Sequence, residues 1–287
     1  MSVFVQQQNT VCDFSSSDSW VILSPIEQSI KRKIEAAGTP LKDWDIQINY
    51  GIKTGYNEAF IISTEKRNEI LANCKDADER KRTDELIRPI LRGRDIKRYG
   101  YVDNGLYLIN THNGIRGRIP RIKIEDYPAV KAHLDQYWDK IEKRADQGDT
   151  PYNLRNCAYL EDFSKQQIVW IELSDNPKFA LTQNMVSVNT VFFLTGEHIL
   201  HLLGLLNSKL ITWYFHHCIG TTSGVGTNRW LKYTIEQIPM AKPDEEIECL
   251  VKEVSSNYDM ELDKALDKTI CKSYYLDDEE TAYIIEQ

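Results

Sequence analysis

The chain has 287 residues, 41% hydrophobic and 27% charged, with six Trp, fifteen Tyr and eight Phe. That content excludes a disordered chain and suffices for one large domain or two smaller ones. The net charge of −8 argues, as an average, against a polyanionic partner; but residues 88–123 hold nine basic residues against two acids, net +7, whereas 244–287 hold fourteen acids and four lysines, net −10.

Residues 1–20 are polar and Ser-rich and read as a linker. A helix is predicted over Pro25–Ala37, capped by Ser24 and closed by Gly38, with Ile26, Ile30 and Ile34 on one face. DIQINYGIKTGYNEAFIIS reads as strand, glycine turn, strand. Thr64 is expected to cap a helix to about Cys74, followed by an exposed connection, KDADERKR. TDELIRPILRGRDIKRY reads as helix and then a turn at Gly93, and GLYLIN as a short strand. A helix from Asp126 to Ala145 begins with Pro128 in its first turn. QQIVWIEL, KFALT and VSVNTVFFLT read as strands, and GEHILHLLGLLNSKLITWYFHH as one long buried helix ending in the loop CIGTTSGVGTN. QIPMAKP stops the domain. A charged helical tail covers 244–272, and a last helix begins near Asp277. The irregular alternation predicts a mixed α/β (α+β) domain with a helical C-terminal extension.

The six cysteines are scattered without CxxC spacing, and neither a leader-like start nor a run of about 18 apolar residues occurs. The expectation is a reduced, cytoplasmic protein with no membrane span. His198 and His201, and His216, His217 and Cys218, are too poorly spaced for zinc and read as buried or capping groups. No two of the nine prolines are adjacent, which excludes an NPPY-type methylation motif; no PD-(D/E)xK set, HExxH or GxSxG occurs. The carboxylate pairs Glu172/Asp175 and Asp43/Asp45 read as surface groups. No catalytic machinery is therefore expected in this chain.

Three features bear on binding. LRGRDIKRY and IRGRIPRIK concentrate like charges that either meet phosphates and base edges or form a solvated face paired with the acidic tail. GIKTGYNEAF is either a phosphate-cradling backbone turn or a plain hairpin turn; it is not a Walker loop. CIGTTSGVGTNRW is a polar loop that follows a helix, which rules out the glycine pattern of a cofactor site.

Taken in order, SPIEQSIKRKIEAAGTPLKDW, GIKTGYNEAFII, LIRPILRGRDIKRY, YLIN, LLGLLNSKLITWYF, LKYTIEQIPMAKP and the final YLDDEETAYIIEQ form a pattern. It resembles the C-terminal specificity region of TaqI-type adenine DNA methyltransferases and type IIG restriction-modification enzymes. The resemblance implies an architecture similar to the target-recognition units of type I specificity subunits, over residues 21–243 with an extension from 244 to 287. It also implies a double-stranded DNA partner. An upstream methyltransferase segment would use S-adenosylmethionine and, where a nuclease is attached, Mg2+. A separately encoded specificity protein acting in trans is the alternative, and a protein-interaction domain without DNA contact or a cryptic nuclease are further ones. The residues expected to touch DNA are Lys53, Thr54, Asn57, Arg92, Arg94, Arg98, Arg116, Arg118, Thr221, Thr222, Ser223 and Arg229. Asp95 is expected to orient a neighbouring arginine. About five basic residues on phosphates would give a log–log salt slope of about −4 to −5.

Overall fold

The computed structural model describes residues 23–220, 222, 223 and 227–287. Helix α1 (Pro25–Ala37) starts where predicted: Ser24 and Glu27 form a reciprocal capping box, Pro25 enters the first turn, and Ile30 and Ile34 are buried. Strand β1 (Thr39–Pro40) is followed by β2 (Ile46–Tyr50). The predicted hairpin does not form. A loop and the one-turn helix α2 (Asn57–Phe60) intervene before β3 (Ile61–Ser63), and β2 and β3 join different sheets. Gly51 does not reverse the chain; it lets two backbones lie close together in a parallel bridge. A Cβ there would lie 2.1 Å from the Ser187 carbonyl oxygen, and the Gly51 and Ile52 amides donate to Val191 and Ser187 at 2.9 and 2.7 Å.

Helix α3 (Thr64–Ala72) is capped by Ser63 rather than Thr64, whose hydroxyl donates to the Gly105 carbonyl at 3.1 Å. KDADERKR is not a connection: Asp76 caps α4 (Ala77–Leu86), whose Glu79 is buried and accepts from the amides of Lys75 and Ala129. The helix predicted to run on toward Gly93 instead ends at Leu86, and β4 (Ile87–Leu91) begins. Pro89 lacks an amide proton and clashes inside a helix, while Ile87 and Ile90 suit a buried strand. After β5 (Leu106–Ile109), the helix expected over 126–145 splits into α5 (Pro128–Asp135) and α6 (Trp138–Ile141), leaving Arg144 in a loop. Strands β6 (Gln166–Ile171) and β7 (Ala180–Gln183) follow as read, but VSVNTVFFLT, read as one strand, breaks into β8 (Val186–Ser187) and β9 (Val191–Gly196), which join different sheets.

The long apolar helix is buried but interrupted. It forms α7 (Ile199–Asn207), α8 (Lys209–Tyr214) and a π-turn, Phe215–Ile219. At the break the Asn207 side chain accepts from the Phe179 amide at 3.2 Å and donates to the Phe179 carbonyl at 2.9 Å. Extended Ser208 then caps α8. Short β10 (Thr222–Ser223) and β11 (Thr227–Asn228) pair antiparallel, followed by α9 (Lys232–Ile235) and β12 (Pro239–Met240), which pairs with β1. The tail forms α10 (Glu245–Ser256), α11 (Met260–Ser273) and α12 (Asp278–Glu286), the last with a capping box at Asp277.

The chain divides into two units interleaved along the sequence. One comprises 47–171 and 180–195. It holds two four-stranded sheets, ordered β2-β9-β6-β7 and β3-β5-β4-β8. β4 and β8 run parallel; β5 pairs antiparallel with β3 and β4, and β6 with β7 and β9. Its core gathers Phe60, Leu108, Ile109, Val130, Leu134, Phe163 and Phe193. The other unit comprises residues up to Ile46, 172–179 and 196–287. Here α10 packs on α7 and α11, because Ile247, Val251 and Val254 form a buried face that an independent extension would expose to water. The Tyr274 hydroxyl, fully buried, donates to the Pro239 carbonyl at 2.8 Å and accepts from the Ala241 amide at 2.9 Å. Among the described residues no helix is long and apolar enough to cross a membrane, and no metal-ligating cluster of His, Cys, Asp or Glu occurs.

Candidate nucleic-acid interface

The first of the candidate segments in chain order is the loop Gly51–Asn57. The amides of Gly51 and Ile52 are already bonded to the carbonyls of Val191 and Ser187, so they are not free to cradle a phosphate. Thr54 is 3% exposed and its hydroxyl donates to Asn57 Oδ1 at 2.6 Å. Its side chain helps to hold the turn. Lys53 and Asn57 are exposed, and Lys53 lies 3.1 Å from Asp146.

What organises this loop is Arg144, a residue not singled out from sequence. It is 6% exposed and its guanidinium donates to four backbone carbonyls, those of Thr54 (2.5 Å), Pro151 (3.1 Å), Asp146 and Asn153. It also stacks 4.5 Å from the Phe60 ring centroid. Burial lowers its pKa to about 10, with Asp146 acting the other way. One cation thus joins the 51–57 loop to the 146–153 loop. The signal available was RADQGDTPYNLR, whose turn-forming residues need external donors for their carbonyls.

The 146–158 stretch in turn supports a second loop, His112–Arg121. Asn113 donates to Asp149 (2.9 Å) and Asn156 (2.5 Å) and accepts from the Asp149 amide (2.9 Å). The Asn153 amide group donates to the Ile122 carbonyl at 2.9 Å. Within the loop, Ile115 and Ile119 bridge each other and put Arg116, Gly117 and Arg118 at the apex. A hollow of about 750 Å³ lies here, lined by Arg116, Arg118, Arg121, Asn113, Asp149 and Asn156. Arg118 pairs with Glu161, and Arg121 with Asp149 at 3.1 Å. Arg116 is exposed and meets no carboxylate among the described residues.

The Arg92–Gly100 segment is built separately. Asp95 is buried and takes both Nε and Nη2 of Arg92, at 2.7 and 3.2 Å. Asp95 therefore orients an arginine, and Arg92 is held in the turn rather than offered to solvent. Arg98 lies over the Tyr99 ring, 4.8 Å from its centroid, with Tyr99 itself at φ 66°. Arg94 and Lys97 are exposed, and no ion pair is found for them among the described residues. The carboxylates that meet Arg92, Arg118 and Arg121 are Asp95, Glu161 and Asp149, not those of the acidic tail.

In the other unit, Arg229 donates from Nε and Nη2 to Glu172 Oε1 at 3.1 and 2.6 Å, so Glu172 is an ion-pair partner and not an idle surface acid. Residues 172–174 run beside 228–230, and Trp230 stacks on Phe215 with centroids 3.8 Å apart. Thr222 and Ser223 lie in β10, and Thr221 lies outside the described residues. The histidines have structural partners: His201 with the Ala241 carbonyl, His216 with Asn228, His217 with the Trp213 carbonyl.

A family model described as the TaqI-like C-terminal specificity domain matches residues 88–240. That span includes the Arg92–Gly100 segment, the 112–121 loop, Arg144 and Arg229. Among solved structures, that of the type IIL restriction-modification enzyme MmeI in complex with DNA is similar over 86% of this chain, with a TM-score of 0.60 at 15% identity. The type IIG restriction endonuclease BpuSI is similar over 91% of it, with a TM-score of 0.57 at 14% identity. The chain covers 35% and 31% of those two proteins, respectively. At such identities the likeness is one of fold.

Proposed function

This chain belongs to the family of TaqI-like C-terminal specificity domains, and on that premise we propose that it recognises a double-stranded DNA sequence for a restriction-modification enzyme. One observation carries the reading. Within the basic segment 88–123, Arg94, Lys97, Arg116 and Lys123 are exposed without a carboxylate partner among the described residues, while neighbouring arginines are held by acids of the same scaffold. Exposed cations clustered without carboxylate partners leave a local positive potential to which DNA phosphates bind with release of counterions, and donor forks free for base edges. Chemistry is assigned to a different polypeptide segment, fused or bound in trans. It would be S-adenosylmethionine-dependent methylation of adenine, with Mg2+-dependent cleavage where a nuclease is attached.

The test is binding of the chain to fluorescent duplex DNA at low salt, followed by anisotropy. Saturable binding that weakens with added salt is expected. Absence of binding at 50 mM salt would reject the reading and favour a protein-interaction role.

A further inference from the structure

We propose that the hollow at the 112–121 loop reads one G·C base pair by its edge, with Arg116 on the guanine and Glu161 on the cytosine. This deepens the proposed function and rests on it.

The hollow is lined by mixed chemistry. Arg116, Arg118 and Arg121 supply donors, and Asp149 and Asn156 bring acceptors. Glu161 joins them through its pairing with Arg118. A phosphate presents only acceptors, and would meet two carboxylates here at unfavourable cost. A base pair presents both kinds. In the major groove guanine offers N7 and O6 as acceptors, and cytosine offers its N4 amino group as a donor.

The three arginines are not equivalent. Arg121 is tied to Asp149, both of whose oxygens are engaged, one by Arg121 and one by Asn113. Arg118 engages only Oε2 of Glu161, which is 54% exposed on its side chain, so Oε1 remains available to an amino group. Arg116 keeps its whole donor fork, the geometry that matches guanine bidentately. Its neighbour Gly117 sits at φ 79° with open space where a Cβ would be, so the apex approaches a groove floor without steric obstruction.

The loop is also rigid at its base, as a reader must be. Asn113 fastens it to Asp149 and Asn156, in the stretch whose carbonyls Arg144 gathers.

The experiment is selection from a randomised duplex DNA library by the whole chain and by Arg116→Ala, Glu161→Gln and Arg94→Ala, with the retained sites sequenced. All three side chains are exposed, and unchanged circular dichroism and melting confirm folding. The wild type should enrich a motif with a fixed G·C pair. Arg116→Ala and Glu161→Gln should each lose preference at that pair by roughly ten- to a hundredfold while other positions hold. Arg94→Ala should weaken all sequences alike.

Uniform weakening by Arg116→Ala, with a salt slope shallower by about 0.9, would identify a phosphate contact and overturn the assignment. Uniformly tighter binding by Glu161→Gln would overturn it too. DNA binding by the wild type without any fixed G·C overturns the inference alone; failure to retain duplex at all overturns the proposed function.

Discussion

A buried guanidinium without a full carboxylate partner is expensive unless every N–H finds an acceptor. Arg144 meets most of that demand, its two terminal nitrogens donating to backbone carbonyls from two loops while Nε is left without an acceptor. Replacing it by Gln removes the charge-assisted bonds and leaves buried carbonyls unpaired. Arg144→Gln is expected to cost about 3 kcal/mol, read as a drop in chemical-denaturation stability. A loss below about 1 kcal/mol would show that water replaces the guanidinium readily. His133 and His201 behave differently. Each is buried and has one ring nitrogen 3.0 Å from a carbonyl oxygen, that of Ala59 or Ala241, so Nε2 carries the proton; Nδ1 has no partner. Burial lowers both pKa values from the ordinary 6.5, the backbone bonds opposing. As pH falls below 6.5 the unfolded chain takes up protons that the folded chain refuses, so stability falls by up to about 1.4 kcal/mol per pH unit per histidine until the folded pKa is reached. Melting at pH 7.5, 6.5 and 5.5 should therefore show a decline starting well above the carboxylate range. A flat profile down to pH 5.5 would contradict the assignment.

At the level of elements, the informative case is the apolar stretch 196–217. Periodicity and hydrophobicity predict one continuous helix, and the residues are buried as expected. The interruption follows from Asn207, whose side chain pairs with both the backbone N–H and the C=O of Phe179 like a missing strand partner. Ser208 then starts the next helix as its cap. Asn207→Ala should destabilise the unit by about 2 kcal/mol through loss of two buried hydrogen bonds, measured by thermal melting. An unchanged midpoint would mean that the break is set by Ser208 alone. The same competition explains the 76–91 region. Asp76 and Glu79 cap and anchor a helix in a segment that charge density alone marks as a loop, and Pro89 commits the next residues to a strand.

For the molecule as a whole, the charge pattern predicts a basic region and an acidic one, but not which cations remain unmatched. Three of the arginines between Arg88 and Lys123 are held by carboxylates, and Arg116 is assigned to a base. That leaves Arg94, Lys97 and Lys123 as the exposed cations of this segment proposed for phosphates. About three phosphate contacts give a log–log salt slope of about −2.7, shallower than five would. Titration between 50 and 300 mM salt measures it, and a slope near zero would remove the phosphate grip.

The sequence by itself determined what is local: the Ser24 cap, the helix after Asp277, strands β5 to β7, and the mixed fold class. These depend on residues within a few positions of one another, where side-chain periodicity and capping chemistry act. Only the tertiary structure decided that Gly51 is a point of close backbone approach, that Arg144 is buried, and that 244–287 packs within a unit interleaved along the sequence. It alone also decided which arginines are neutralised: Arg121 and Arg118 find Asp149 and Glu161 at separations of 28 and 43 residues. Such pairings arise because a charge or carbonyl taken out of water must be matched by whatever the folded chain brings beside it, and no short window of sequence carries that information.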